Sequence, residues 1–305
     1  MKKINIGNGV ISASEIALGC MRINALSKSQ ASTLINTALE EGINYFDHAD
    51  IYGGGRSEEV FADAIDMNSN IREKFILQTK CGIRKGYFDF SKEHILNSVE
   101  DSLKRLKTEY IDVLLLHRPD TLMEPEEVAE AFSILYNSGK VKYFGVSNQN
   151  PMQIELLNKY LKNKIIINQL QFSITNTGII DSGLNVNMKI DPSIVRDGSI
   201  LEYCRLKDIN IQAWSPFQYG FFEGVFLDND KFPELNNKIN EIAAIKGVTN
   251  SAIAIAWILK HPAKIQPIVG TTNPKRLKDI CKASKVELTR QEWYEIYMAA
   301  GNKLP

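Results

Sequence analysis

The chain has 305 residues, 44% of them hydrophobic and 24% charged, which is compatible with one α/β barrel of about 250 residues plus insertions. Lysine plus arginine and aspartate plus glutamate both number 36, so the formal net charge is +0 and no preference for nucleic acid or anionic lipid is expected. The length predicts a single domain over residues 1–305. Four scattered cysteines and a polar N-terminus predict a reduced, cytoplasmic protein. Because no long apolar run is present, no membrane span is expected.

The first predicted element is a β-hairpin. Residues 1–12 alternate polar and apolar side chains around Gly7-Asn8-Gly9, and glycine and asparagine tolerate the backbone of a tight turn. We expect this hairpin to close the floor of the barrel.

Eight short, continuous apolar runs follow, as expected for strands that are buried on both faces. They lie near residues 16–20, 43–47, 75–80, 111–117, 141–147, 164–169, 209–214 and 265–270. Amphipathic stretches alternate with them; residues 91–107, for example, place four aliphatic side chains on one helical face behind Ser91, a predicted N-cap. An open doubly wound sheet would give a similar pattern, but the strand count and even spacing favour a TIM (β/α)8 barrel.

Two segments, 171–193 and 215–233, are predicted to be long loops over the barrel mouth because each follows the end of a strand. The tail begins with a capping box formed by Thr289 and Glu292, which predicts an extra C-terminal helix as far as about Ala300.

Four reactive side chains end or closely follow successive predicted strands. Asp47 and Tyr52 follow the second strand, Lys80 the third and His117 the fourth. Because a parallel barrel gathers the C-terminal ends of its strands around one mouth, these groups should meet there. A phenol next to an ammonium, a carboxylate and an imidazole suits proton delivery to an oxygen as it becomes an alkoxide. We expect Tyr52 to donate the proton, Lys80 to lower its pKa, Asp47 to hold Lys80 and His117 to orient the substrate.

A purely structural role is the alternative to this catalytic role, since Asp47 and Lys80 alone could form an ordinary ion pair. The four histidines show no metal-binding spacing, no serine or cysteine at a strand end is paired with a base, and no G-x-G-x-x-G follows a strand. An external hydride donor would complete the chemistry.

Seven segments, in order and spacing, resemble the aldo-keto reductase family: FDHADIYGGGRSE, ILQTKCG, LLLHRPD, FGVSN, NQLQF, AWSP and PIVGTTNPKRLKDI. The resemblance extends from LGCM at residue 18 to the last predicted helix. It implies a TIM barrel that reduces aldehydes or ketones with a nicotinamide cofactor across its mouth. Its catalytic tetrad corresponds to Asp47, Tyr52, Lys80 and His117.

The resemblance also implies the cofactor contacts at the reactive end. Residues that match those holding the carboxamide are Ser147, Asn148 and Gln169. Trp214 matches the aromatic residue that stacks on the nicotinamide ring, where members more often carry tyrosine. Ser215 and Phe217 begin the loop that wraps the pyrophosphate.

The adenosine end is expected after the eighth strand, along Gly270, Thr271 and Thr272. Asn273 and Pro274 predict a helix N-terminus, which favours a phosphate, and Arg276 offers a bidentate fork for one. NADP(H) is therefore favoured over NAD(H), although many relatives have lysine in place of Gly270 and use of both cofactors is left open.

Two other functions are weighed. A cofactor-binding regulatory subunit with little turnover would keep the same four residues, and a metal-dependent barrel hydrolase would need ligands that the sequence does not offer. The expected partner is a small carbonyl substrate; its identity and the oligomeric state do not follow from the sequence.

Overall fold

The computed structural model describes residues 1–305, and eight parallel strands form a closed barrel at its centre. Around the barrel the strands follow chain order, with β8 pairing β1 to close the ring. The predicted TIM barrel is therefore confirmed. The barrel strands are β1 (Ala17–Gly19), β2 (Tyr45–Asp47), β3 (Ile76–Cys81), β4 (Ile111–Leu116), β5 (Val141–Ser147), β6 (Ile167–Gln171), β7 (Asn210–Trp214) and β8 (Gln266–Val269).

Helices surround the barrel and supply the crossovers between its parallel strands. The predicted helix at 91–107 is present as α4, with Ser91 as its N-cap. The helices are α1 (Lys28–Glu40), α2 (Arg56–Ala64), α3 (Ser69–Arg72), α4 (Lys92–Leu106), α5 (Pro125–Asn137), α6 (Pro151–Tyr160), α7 (Gly178–Leu184), α8 (Ile200–Leu206), α9 (Pro233–Lys246), α10 (Asn250–Leu259), α11 (Pro274–Cys281) and α12 (Arg290–Ala299). Short 3₁₀ turns lie at Ile23–Ala25, Tyr52–Gly55, Asp191–Ser193 and Lys282–Lys285.

The predicted N-terminal hairpin is present and lies at the floor of the barrel. Strands Lys3–Ile6 and Ile11–Ser14 pair antiparallel around the Gly7-Asn8-Gly9 turn. Several hydrogen bonds tie it to the N-terminal ends of the barrel strands; for example, the Gly7 N–H donates to Asn210 Oδ1, and the Ser14 N–H donates to Asn44 Oδ1. The opposite, C-terminal end of the barrel is left open as the mouth.

The interior of the barrel contains a small apolar cluster and a chain of buried polar side chains. Near the floor a small cluster packs side chains of the hairpin against inward-facing residues of the strands, among them Ile6, Ala17 and Ile167. A larger apolar layer lies between the strands and the helices. Buried polar side chains extend from Gln266, whose amide donates to the Ser14 carbonyl of the hairpin, to Lys80 near the end of its strand.

The two predicted loops contain regular structure. Segment 171–193 includes helix α7, and segment 215–233 includes a small hairpin formed by Gln218–Tyr219 and Gly224–Val225. Helix α7 has the sequence GIIDSGL, whose two glycines hide any helical pattern. It is held by a tertiary contact, since the Tyr297 hydroxyl donates to Asp181 at 2.8 Å.

Helix α12 was predicted from its capping box; Thr289 is its N-cap, and the helix contacts α10. The indoles of Trp257 and Trp293 stack with centroids 4.7 Å apart, and each indole N–H donates to the other residue's carbonyl. No single helix is long and apolar enough to cross a membrane; α9 and α10 reach that length and composition only as a pair bent by 92°.

Candidate active site

Lys80, near the end of β3, is the centre of the site. Its side chain is fully buried, and its ammonium has three hydrogen-bond acceptors. These are the Asp47 carboxylate at 2.8 Å, the His48 carbonyl at 2.8 Å and the Tyr52 hydroxyl oxygen at 3.1 Å. An ammonium has three donors, so this buried cation is fully satisfied. Because Lys80 donates to the Tyr52 oxygen, the hydroxyl hydrogen of Tyr52 is directed elsewhere.

Tyr52 reaches this position from a glycine-rich turn that follows β2. Gly53, Gly54 and Gly55 all have positive φ, with values of 60°, 65° and 94°. A side chain at Gly53 would place its Cβ 2.8 Å from Asn24 Nδ2. The YGGG sequence is thus required by a backbone conformation that turns the tyrosine back over the barrel mouth.

The pKa values of Lys80 and Tyr52 differ in part from the expectation. Burial alone would lower the pKa of Lys80, but the charge of Asp47 and the hydrogen bonds to Asp47 and Tyr52 outweigh it and raise that pKa. Burial raises the pKa of Tyr52 above 10, and Lys80 offsets only part of the rise. Lys80 lowers the pKa of Tyr52 as predicted, but the net pKa is still raised, because desolvation of the phenolate, which was not predicted, is the larger effect.

His117 follows β4 and lies beside Tyr52, with ring centroids 5.9 Å apart and the planes nearly perpendicular. Burial and the nearby charges of Lys80 and Arg118 hold its pKa well below 6.5, so the imidazole is neutral. Its buried Nδ1 has no hydrogen-bond partner. A neutral imidazole carries one N–H donor, and none of the protein's hydrogen bonds uses it, so it is available to a bound oxygen.

A buried chain of amides holds Asp47 in place. Asp47 Oδ1 accepts from Gln78 Nε2 at 2.5 Å and from Gln169 Nε2 at 3.0 Å. Both of these amides also donate to Gln212 Oε1 at 2.9 Å. Gln212 in turn donates to Gln266, whose amide reaches the backbone of the floor hairpin. The network therefore connects the floor to the mouth and fixes the carboxylate that holds Lys80.

Sequence reasoning missed Gln78, Gln212 and Gln266 because they lie inside runs that were interpreted as apolar strands. A signal was present: buried strands β3, β6, β7 and β8 each carry a glutamine among aliphatic residues. The register pairs Gln169 with Gln212 and Gln212 with Gln266 on adjacent strands.

The residues predicted to hold the carboxamide are brought together at the ends of β5, β6 and β7. Asn148, at φ 57°, donates to Ser147 Oγ at 2.7 Å and accepts from Trp214 Nε1 at 3.1 Å. Gln169 uses its amide N–H groups on Asp47 and Gln212, which leaves its Oε1 without a partner in the protein. The Trp214 indole stacks on the ring of Phe222, with ring centroids 5.9 Å apart.

The residues predicted for the distal end of the cofactor lie after β7 and β8. Ser215 has a left-handed backbone and accepts from the Gln218 N–H, while Phe217 packs against the core. After β8, a side chain at Gly270 would meet no atom within 4 Å, and Thr271 Oγ1 and Asn273 Oδ1 cap the start of α11. Thr272 is half-buried, and Arg276 is exposed and forms no ion pair.

Arg118 was also missed. Its guanidinium lies 5.3 Å from the Trp214 ring and 5.7 Å from the Phe221 ring, and it is half-buried next to His117. No sequence pattern marks it, because its position follows from the meeting of β4 with the loop after β7.

A closed α/β barrel thus carries a buried ammonium, an available phenol and a neutral imidazole at its mouth, where enzymes of this fold place their active sites. The sequence profile of the Aldo/keto reductase family matches residues 15–299, and the chain therefore belongs to that family.

Individual relatives agree. The chain is 37% identical to "Uncharacterized oxidoreductase YcsN" of Bacillus subtilis, over 96% of each chain. It is 34% identical to "6-dehydroglucose reductase" of Agrobacterium fabrum, over 95% of each. Among solved structures, the thermostable aldo-keto reductase Tm1743 superposes with a TM-score of 0.78 at 25% identity, covering 98% of this chain and 100% of that one. The chain is similar to these oxidoreductases along nearly its whole length.

Asp50, two residues before Tyr52, is a half-buried carboxylate. Its Oδ1 is buried without a hydrogen-bond partner. Burial and the nearby Glu58 raise its pKa from 3.8 to about 6, although Arg105 acts in the opposite direction. The folded chain therefore holds this proton more tightly than the unfolded chain, and the resulting contribution to stability is present below about pH 4 and lost as pH rises through 6.

We predict that Asp50→Asn stabilises the protein at about pH 8 by roughly 2 kcal/mol, because asparagine removes a buried charge, and that the gain disappears near pH 4. Denaturant unfolding at the two pH values measures this difference. Asp230→Asn, at an exposed site without an ion pair, is the control and should change stability little at either pH. An equal effect of Asp50→Asn at both pH values would contradict the assigned pKa.

Proposed function

We propose that this protein reduces an aldehyde or ketone to an alcohol with NADPH, and that Tyr52 supplies the proton. The observation that carries the proposal is the geometry at Lys80: its ammonium donates to the Tyr52 oxygen at 3.1 Å and is itself held by Asp47. A substrate oxygen placed between Tyr52 and His117 would accept from both groups as negative charge develops on it.

The residues at the mouth fit a nicotinamide cofactor. Gln169 Oε1 lacks a partner, and Ser147 and Asn148 place further polar atoms beside it. Trp214 places an aromatic ring at the mouth, and the exposed, unpaired Arg276 offers a charge for a phosphate. When bound, the cofactor supplies the hydride for the carbonyl carbon.

The protein's own residues supply the proton and the orientation. Because the pKa of Tyr52 is raised, the phenol keeps its proton at neutral pH and can donate it to the alkoxide. Lys80 then stabilises the phenolate that remains, since its charge is 3.1 Å away in a water-poor site. His117, neutral and without a partner, fixes the position of the substrate oxygen.

The direct test of the proposal is NADPH oxidation with a panel of aldehydes and ketones that includes 6-dehydroglucose, the substrate named for a relative. Oxidation that depends on the carbonyl compound supports a reductase. Tight NADPH binding without any such oxidation would instead support the regulatory-subunit alternative.

We predict that Tyr52→Phe lowers kcat by at least about a hundredfold, because it removes the acid and little volume. NADPH affinity should change little, as followed by quenching of tryptophan fluorescence. Tyr87→Phe removes the same atom from an exposed tyrosine and should leave kcat unchanged. Turnover of Tyr52→Phe at the wild-type rate would exclude Tyr52 as the proton donor.

We predict that Arg276→Ala weakens NADPH binding by about tenfold or more and NADH binding much less, because only NADPH carries the additional phosphate. Dissociation constants for both cofactors measure this. Arg290→Ala, which removes an exposed arginine on α12, is the control. Equal losses for NADPH and NADH would mean that Arg276 does not contact that phosphate.

A further inference from the structure

Arg118 is a cation without a counter-ion at the edge of the candidate active site. It takes part in none of the salt bridges and none of the side-chain hydrogen bonds of the protein. The nearest acid in the sequence, Asp120, is already engaged, since its two oxygens accept from the backbone N–H groups of Phe90 and Leu122. All five N–H donors of the guanidinium are therefore available.

The surroundings of Arg118 hold it in place without neutralising it. The guanidinium lies over the rings of Trp214 and Phe221, which attract a cation but accept no conventional hydrogen bond. The side chain is half-buried, so water compensates its charge only in part. A group in this state gains most from a ligand that brings a negative charge and two acceptors.

The position of Arg118 relates it to the substrate. It directly follows His117, whose pKa it helps to lower, and its own charge interacts with the Tyr52 hydroxyl. Through the rings of Trp214 and Phe221, Arg118 also adjoins the end of β7 and the loop after it, where part of the cofactor is proposed to lie. Because Arg118 directly follows His117, we place a group of the substrate, and not a cofactor phosphate, at its guanidinium.

We propose that Arg118 selects carbonyl substrates that carry a carboxylate, which it binds through its bidentate fork. The inference rests on the proposed reductase function and names its substrate class. A planar guanidinium matches the two oxygens of a carboxylate, whereas a neutral hydroxyl would leave the positive charge uncompensated. The exposed rings of Phe221 and Phe222 provide an apolar wall for the body of such a substrate.

The test compares two aldehydes of the same shape, para-formylbenzoate and its neutral amide para-formylbenzamide, by kcat/KM with NADPH. The wild-type protein should prefer the acid by about tenfold or more, and Arg118→Met should lower that acid-to-amide ratio by about tenfold to a hundredfold. Arg118→Lys keeps the charge without the fork and should retain part of the preference. Arg205→Met, which removes an unpaired, exposed arginine from α8, should leave the ratio unchanged.

The possible outcomes separate the two proposals. Reduction of acid and amide with equal kcat/KM by the wild-type protein, or better reduction of 6-dehydroglucose than of either, would overturn the role of Arg118 and leave the reductase function intact. NADPH affinity of Arg118→Met is measured by fluorescence quenching. If it falls by the same factor as kcat/KM for both aldehydes, Arg118 is a cofactor contact, and its proposed role in substrate selection is overturned. If no carbonyl compound supports NADPH oxidation, the proposed function fails and the inference fails with it.

Discussion

The site depends on one buried ion pair, Lys80 with Asp47. An ammonium with no exposed surface is costly unless all its donors are bound and an opposite charge is adjacent. Here the carboxylate, a main-chain carbonyl and the tyrosine oxygen meet these needs together. Because Tyr52 is one of the three acceptors, the same interaction that makes the buried lysine tolerable also fixes the phenol at the barrel mouth.

The ion pair has its own support, which extends through the barrel. Two glutamine amides from β3 and β6 hold one oxygen of the buried Asp47 carboxylate. Those amides share an acceptor on β7, and the chain of bonds ends at the floor hairpin. A polar network of this kind is favourable only when nearly every member is satisfied, which restricts the residues that these strand positions tolerate. The barrel interior thus combines an apolar cluster at the floor with a polar chain that positions a charge at the mouth.

Much of this could be predicted from the sequence because it depends on local pattern. Apolar runs predicted the strands, Gly7-Asn8-Gly9 predicted the hairpin, and Thr289 with Glu292 predicted the last helix. The meeting of Asp47, Tyr52, Lys80 and His117 followed from the geometry of any parallel barrel. The glutamine network could not be predicted in the same way, because a glutamine inside a buried strand shows its partner only after the strands are in register. The pKa of Tyr52 depends on a balance between burial and Lys80 that needs distances. The position of the Arg118 guanidinium could not be predicted, because it depends on which loop packs over it.

The most direct test of the account is the pH dependence of the single-turnover rate of carbonyl reduction, from about pH 6 to pH 11 with NADPH bound. If Tyr52 is the proton donor, the rate constant should stay level through neutral pH and fall only above pH 10, since burial raises the pKa of this phenol. A fall centred between about pH 6 and 7 would identify a histidine as the acid. That result would contradict both the neutral state assigned to His117 and the role assigned to Tyr52.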